Sequence, residues 1–342
     1  MITIDGAKGE GGGQILRTSL SLAACLNKPI EIKNIRAGRG KPGLLRQHYT
    51  CAAATAEISS GKIEGLEVGS EYLKFIPGSL GGIHKHYSFA IGTAGSTSLV
   101  FQTILPVLLL ASHPVRVELK GGTHVPYSPT LEFIEYSFLP VLASIGVRAE
   151  IELESCGFYP AGGGSWTVLV HPWTRVSALS LCERGKFIQR KANALMCNLS
   201  HRIGERELNK VNWGPESSAV KHVDGFGCGN VLSLQLQYEN ITSVFDSIGM
   251  HRKPAEAVAA EAVKFVQQYE ATNAPVCEHL ADQLLLPMVI GKGGRFVTQQ
   301  LSLHSQTNID VISQVSECEI RHEQVDENAW LIDVPAGLQL SP

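Results

Sequence analysis

In the stretch LSLHSQTNID, Leu301 to Asp310, a single histidine lies between apolar residues and a polar turn. Neutral near pH 7, an imidazole can move a proton or attack an electrophilic centre. A lone histidine flanked by Leu301, Leu303 and Ile309 is ordinarily a partly buried ring with satisfied nitrogens; read chemically, His304 is a nucleophile. Which reading holds depends on the rest of the chain. Near the N-terminus, GAKGEGGGQILRTSL sets clustered glycines ahead of an apolar helix, a turn that can present backbone N–H groups to a phosphate. It is neither G-x-x-x-x-G-K-[ST] nor a clean G-x-G-x-x-G, so on spacing alone a tight strand-to-helix turn explains it equally well. Glu10 adds a carboxylate among those glycines, and a carboxylate in a phosphate-binding turn calls for a cation between them. Arg17 follows about two helical turns later.

The most basic segment is IRAGRGKPGLLRQH, which carries Arg36, Arg39, Lys41, Arg46, Gln47 and His48 around glycines that let a ligand approach the backbone. Guanidinium groups suit a two-pronged grip on phosphate, although a solvated basic loop would have the same composition. The turn AIGTAGSTSLVFQ supplies Gln102, and HLADQ supplies His279, Leu280, Ala281, Asp282 and Gln283. Each is an ordinary residue at a helix start when taken singly.

The elements that must position these groups repeat along the chain. Overlaying ITIDGAKGEGGGQILRTSL… on YSFAIGTAGSTSLVFQTIL… at a shift of roughly 84 positions puts Gly11 on Gly95 and the RAGRG turn on KGGTH. Both copies read strand, glycine-rich turn, apolar helix, β-branched strand, second helix and two closing strands, a βαβαββ unit. A third copy, LADQLLLPMVIGKGGRFVTQQLSLHSQTNIDVISQV, matches the second at a shift of about 181 and sets Gln283 on Gln102. Its opening strand, SALSLCERG, lies upstream. The expected fold is therefore α/β: three βαβαββ repeats in a large domain, residues 1–185 and 253–342, with a smaller α/β domain, 186–252, inserted in the third repeat. Equivalent glycine-rich turns of stacked repeats are expected to converge, and His304 falls just after the third of them.

Composition narrows the function classes. With 342 residues, 44% hydrophobic and 18% charged, the chain reads as an ordinary globular protein able to bury a substantial core. A net charge of −3 argues against nonspecific coating of nucleic acid but leaves room for a local basic groove. The eight cysteines form no C-x-x-C pair and no zinc-spaced cluster, which points to reduced thiols. MITIDGAKGE lacks the basic and apolar regions of a signal peptide, and ILPVLLLAS is too short to span a bilayer. A cytoplasmic protein without a membrane partner is expected.

Taken together, GEGGGQILR, IRAGRGKPGLLRQH, AIGTAGS with LVFQTILP, GFYPAGGG, HLADQLLLP and HSQTNI occur in order across nearly the whole chain. This combination closely resembles the RNA 3′-terminal phosphate cyclase family. The resemblance implies a ligase-class, ATP-dependent enzyme acting on an RNA 3′-phosphate end through a covalent histidine–AMP intermediate and an adenylylated RNA end. It implies that His304, two residues before TNI, is the nucleophile, and that Glu10 holds Mg²⁺ or Mn²⁺. Gln102, Arg17 and the segment His279, Leu280, Ala281, Asp282, Gln283 would line the ATP site, while Arg36, Arg39, Arg46, Gln47 and His48 would grip phosphates of ATP or the RNA end. Where this chain has His279, family members often carry tyrosine, so contact with the nucleotide base is altered. Two other readings fit parts of the pattern. One is a non-catalytic, RNA-binding branch of the same family active in ribosome assembly, which lacks the histidine. The other is an enolpyruvyl transferase, which would need two large domains of similar size.

Overall fold

The computed structural model describes residues 1–340. Strand β1 (Ile2–Asp5) leads through the glycine turn into helix α1 (Gly13–Leu26), followed by β2 (Ile30–Lys33), α2 (Arg46–Ile58), β3 (Lys62–Glu64) and β4 (Leu73–Ile76). These strands form one sheet in the order β1-β2-β4-β3, parallel between β1 and β2 and antiparallel thereafter. Next come β5 (His86–Ala90), α3 (Thr97–Leu108) and β6 (Val115–Gly121). Helix α4 (Leu131–Phe133) then runs through a π-type turn, Ile134–Phe138, into α5 (Leu139–Ser144), and β7 (Ala149–Ser155) and β8 (Gly164–Val170) follow. Their sheet, β5-β6-β8-β7, has the same order and the same parallel-then-antiparallel pairing.

The chain then lays down the short β9 (Leu179–Leu181) and leaves to build a different sheet from β10 (Phe187–Cys197), α6 (His201–Val211), β11 (Ser218–His222), β12 (Gly229–Tyr238) and β13 (Thr242–Ile248). Its order is β11-β10-β12-β13. Helix α7 (Ala255–Glu270) brings the chain back to α8 (Glu278–Ile290), β14 (Gly294–Thr298), α9 (Leu303–Ser316), β15 (Arg321–Asp326) and β16 (Ala329–Val334). Here β14 pairs parallel with the distant β9 and antiparallel with β16, completing the order β9-β14-β16-β15. The molecule is thus a mixed α/β structure of several sheets and helices.

Two features are not visible in the sequence pattern. The segment GPESSAVKHVDGFGCGN contains β11, a parallel edge strand beside β10. Only five residues long and mostly polar, it lacks the apolar alternation that marks a strand. Helix α7, placed by sequence with the large domain, packs instead on α6, β12 and β13. Val258, Ala259, Ala262 and Val266 give it one buried stripe, which covers that sheet.

The helices occupy the interior of the larger part of the molecule. Helix α1 packs against α2, α3, α8 and α9. Ten of its fourteen residues are buried, so it has no solvent face. Small polar residues on it reach its neighbours: Ser21 Oγ donates to Thr103 O on α3 at 2.6 Å, and Thr18 Oγ1 to Asn308 Oδ1 on α9 at 2.7 Å. Outside, the strands alternate, with Val115, Val117 and Leu119 of β6 turned to the helices and the residues between them toward solvent.

One buried ion pair ties the loop after β6 to the helix that follows it. His124 is wholly inaccessible, and its Nε2 lies 2.6 Å from Glu132 Oε2. Burial by itself would push this imidazole's pKa down, but the adjacent carboxylate outweighs it and holds the value up at about 10. With an unfolded value of about 6.5, the pair's contribution is complete below that pH and is lost as pH rises through about 10. The unfolding free energy should therefore fall by on the order of a few kcal/mol between about pH 7 and pH 10. Urea melts of wild type and His124→Gln across that range check this; a wild-type profile as flat as the variant's would show that the pair does not titrate so.

Candidate active site

The N-terminal turns of four helices open onto one cleft of about 790 Å³. Gly12 and Gly13 begin α1, Gln47 and His48 lie in the first turn of α2, His279 in that of α8, and His304 in that of α9. The free N–H groups of a helix start, and its dipole, favour an anion. Arg17, Arg36 and Arg39 also line this cleft, with the carboxylates of Glu10 and Asp282 among them. Apolar residues, among them Pro129, Phe133, Phe138, Phe245 and Leu286, contribute to the lining alongside the polar Asp246, Ser247 and Lys253. A concave site that mixes apolar surface with a few placed polar groups is what a small-molecule ligand needs.

His304 is the second residue of α9, after Ser302, whose Oγ caps the helix by accepting from Ser305 N at 3.1 Å. The ring is solvent-exposed in the cleft and makes no hydrogen bond among the described residues. Its neighbour Leu303, expected to be buried, is 55% exposed, because the first turn of α9 projects into the cleft and apolar burial begins one turn later. Leu301 and Ile309 are buried as expected. Three residues past His304, Thr307 Oγ1 accepts from Glu10 N at 2.9 Å, so the glycine turn sits one helical turn from the imidazole. Gly9, in the left-handed region with φ +58°, makes that approach possible, since a Cβ there would stand 2.4 Å from Thr307 Oγ1.

Asp282, on α8, is nearly buried and accepts from Gln14 Nε2 at 2.8 Å. Burial raises its pKa; a positively charged His304, the Gln14 hydrogen bond, His279 and Arg17 act in the opposite direction. Arg17 is itself enclosed, with burial lowering its pKa, and donates to Gln14 Oε1 at 3.3 Å. His48 is buried, and burial first, then Arg17 and Arg36, bring its pKa down to about 3. Its Nδ1 accepts from Leu45 N at 3.2 Å. The neutral ring therefore carries its proton on Nε2, toward Gly13, where a Cβ would stand 2.3 Å from that nitrogen. In this state His48 is a hydrogen-bond donor to an anion, with its lone pair already used.

The remaining expected residues divide. Gln102 donates to Gln283 Oε1, and Gln283 Nε2 to His279 O, a chain from α3 to the start of α8. Gln47 Oε1 accepts from Ser96 N at 3.0 Å and so links the starts of α2 and α3. Arg36 is committed to its own loop through Lys41 O at 2.6 Å and Gly43 O at 2.9 Å. Arg39 pairs with the Glu10 carboxylate and donates to Glu10 O at 2.8 Å. Leu280 and Ala281 turn into the core, 0% and 2% exposed, because α8 is packed on that face. Arg46 is exposed and lies outside the cleft lining, one position before the residues that face inward. His279 meets Phe265 edge-on, with ring centroids 6.1 Å apart.

Glu10 keeps one carboxylate oxygen buried and without a partner. The described residues contain no cluster of three or more His, Cys, Asp or Glu suited to a metal. One carboxylate with a spare oxygen fits a magnesium ion that arrives on a polyphosphate and keeps its own waters, not a caged resident ion. Sequence reading passed over Gln14, Thr307 and Asn308, and over Phe133 and Phe245. Gln14 directly follows the glycines and Asn308 lies within the TNI motif, so both stood inside recognised segments; Phe245, on β13, gave no signal.

Asn308 and Gln14 each make two side-chain hydrogen bonds, and those of Asn308 are fully buried. Asn308 Oδ1 accepts from Thr18 on α1, and its Nδ2 donates to Asp282 O on α8 at 2.7 Å. Asn308→Ala should lower unfolding free energy by about 2–3 kcal/mol, since truncation strands two buried groups. Urea denaturation midpoints test it; a loss below about 0.5 kcal/mol would mean that water replaces the side chain.

A family model described as RNA 3′-terminal phosphate cyclase matches residues 8–322. The chain is 44% identical over 317 residues to the RNA 3′-terminal phosphate cyclase of Koribacter versatilis (strain Ellin345), covering 91% of this chain and 89% of that protein. It is also 44% identical over 341 residues to the protein of the same name from Ectopseudomonas mendocina (strain ymp), covering 98% of each. Among solved structures it aligns with the enolpyruvyl transferase NikO from Streptomyces tendae, over 99% of this chain and 49% of that one. That match has a TM-score of 0.39 and 10% identity, too low to bear on fold or function. By the family model and by near-full-length identity, the chain belongs to the RNA 3′-terminal phosphate cyclase family.

Proposed function

We propose that this protein converts an RNA 3′-phosphate end to a 2′,3′-cyclic phosphate at the expense of ATP, with His304 as nucleophile. The observation that carries the assignment of His304 is its place: an exposed imidazole at a helix start, in a cleft lined by three other helix starts and three arginines. A nitrogen of His304 attacks the α-phosphorus of ATP, the bond to the β-phosphate oxygen breaks, and pyrophosphate leaves. An oxygen of the RNA 3′-phosphate then attacks the same phosphorus, breaking the P–N bond and freeing the imidazole. Last, the adjacent 2′-hydroxyl loses its proton and attacks the 3′-phosphorus, and AMP departs. A phosphate monoester is a poor electrophile; adenylylation supplies the leaving group that it lacks.

The chain's own residues align and neutralise crowded phosphates. Arg17, the His48 Nε2–H and the N–H groups at the start of α1 form one anion-binding wall. Arg39 exchanges Glu10 for phosphate when the nucleotide enters, which frees the carboxylate for Mg²⁺ or Mn²⁺. Bound there, the ion would draw negative charge from the triphosphate. Asp282 lies close enough to His304 to favour the ring's positive charge as the P–N bond forms. The adenine lies toward the exposed His279 ring and the Gln102–Gln283 pair. Arg36 acts by holding the RAGRG loop in shape. In architecture, the three sheets of equal order are copies of one βαβαββ unit forming a large domain; β10 to β13 with α6, and α7 packed on them, are a domain inserted in the third copy. No helix among the described residues is long and apolar enough to cross a membrane.

The alternative of a binding protein without chemistry is disfavoured by the presence of His304 itself. Incubation with α-³²P-ATP and Mg²⁺ or Mn²⁺, without RNA, should label wild type with an acid-labile, alkali-stable adduct. In His304→Ala the label should be lost while the melt stays within about 0.5 kcal/mol of wild type, as befits an exposed side chain. Adduct in that variant would move the nucleophile elsewhere; absence of adduct in folded wild type would favour the binding role. On a 3′-phosphate end lacking the 2′-hydroxyl, the final step has no nucleophile. The adenylylated end should then accumulate on a gel, and efficient conversion to a cyclic product would contradict the sequence of steps.

A further inference from the structure

Between β6 and α4 the chain reads GTHVPYSPT, a loop held at both ends. Thr123 N and His124 N donate to Gly157 O at 2.8 and 3.0 Å, and the His124 ring is fixed on Glu132. On the other side Ser98 Oγ donates to Pro129 O at 2.6 Å, Ser128 Oγ to Val125 O at 2.9 Å, and Thr130 Oγ1 accepts from Phe133 N at 3.1 Å. On this frame stands Tyr127, with φ +62° and a side chain 102% exposed. A large L-residue in the left-handed region is strained, and an aromatic ring wholly in water forgoes burial. Neither cost is offset within the protein. What the residue does gain is position, because Tyr127 lies on the wall of the cleft that holds His304 and the arginines.

We propose that Tyr127 is a stacking platform for a nucleobase at the 3′ end of the RNA substrate, and so a positioning residue for the 3′-phosphate. The proposal rests on the cyclase reading above. An RNA base fits better than the adenine of ATP, because the Tyr127 ring is open to solvent, where a polymer enters, and not enclosed within the cleft. Stacking also suits the task. Every base has a π-face, so the contact tolerates any terminal sequence. In a protein of net charge −3, it adds affinity that long-range attraction to the RNA backbone does not supply. The rigid, doubly anchored loop keeps the ring where the strand's last nucleotides pass.

The test compares wild type with Tyr127→Gly, which keeps the left-handed backbone comfortable while removing the ring, and with Tyr127→Trp. Steady-state kinetics are read on 3′-phosphorylated RNA and on the same RNA ending in abasic nucleotides. Tyr127→Gly should raise KM for RNA by about 5- to 100-fold, with the smaller change in kcat. Tyr127→Trp should restore it, and on abasic RNA wild type and Tyr127→Gly should have equal KM. A 2-aminopurine at the 3′ terminus should be quenched on binding to wild type and not to Tyr127→Gly. An unchanged KM, or an equal rise on intact and abasic RNA, would overturn the proposal, the second by giving the residue a purely structural role. If wild type forms no histidine–AMP adduct without RNA, the cyclase reading fails by itself, whatever Tyr127 does.

Discussion

Everything at this site depends on Asn308. Two buried hydrogen bonds from one amide join α9 to α1 and to α8, the three helices whose first turns carry His304, the glycine turn and His279 with Asp282. Helix starts repel one another, because each presents the positive end of a dipole and unpaired N–H groups. Packing several together without an anion is unfavourable unless bonds farther down the helices hold them. Thr18, Asn308 and the buried length of α1 do this, and Thr307 adds the link to the Glu10 turn. The anion-binding capacity of the cleft is the outward face of that constraint.

The electrostatics of the site follow from the same crowding. Positive groups that cannot all be solvated are either neutral or internally paired: His48 is neutral by burial and by two nearby guanidiniums, Arg39 rests on Glu10, and Arg36 on backbone carbonyls. An anion thus meets the His48 Nε2–H and the helix-start N–H groups already fixed in place, whereas Arg39 must first leave Glu10. Asp282 is the counterweight. Buried among these groups, it feels the charge of His304, His279 and Arg17, and Gln14 fixes its orientation.

The β11-β10-β12-β13 sheet takes part in this site. Its β13 packs against the helix 131–144, brings Phe245 to the cleft lining, and receives Thr130 on Asp246. Helix α7 covers β12 and β13 before the chain enters α8, so that unit is joined directly to the helix that bears Asp282 and Gln283. The π-type turn at Ile134–Phe138 lies where β13 meets the helix, and the loop bearing Tyr127 ends at that same helix.

Much of this was legible from local chemistry. Glycine clusters, arginines, HLADQ and HSQTNI stand in order along the chain, and alternation within β6 and the continuous apolar character of α3 give their elements directly, since a strand's period and a helix's burial are written in neighbouring residues. So were the residue types the chemistry needs: an imidazole, a carboxylate among glycines, a basic loop. Partnership was not. Nothing in the spacing shows that Arg39 rests on Glu10, that His48 is neutral, that Leu280 and Ala281 face the core while Asp282 faces the cleft, or that β11 pairs and α7 covers the same sheet. Those depend on contacts between residues far apart in the chain, as far as Thr18 from Asn308, and on burial, which sets charge states. By itself the sequence determined which groups are present and on which elements they lie; the tertiary structure decided which of them meet, because desolvation and hydrogen-bond pairing exist only once the helices have packed.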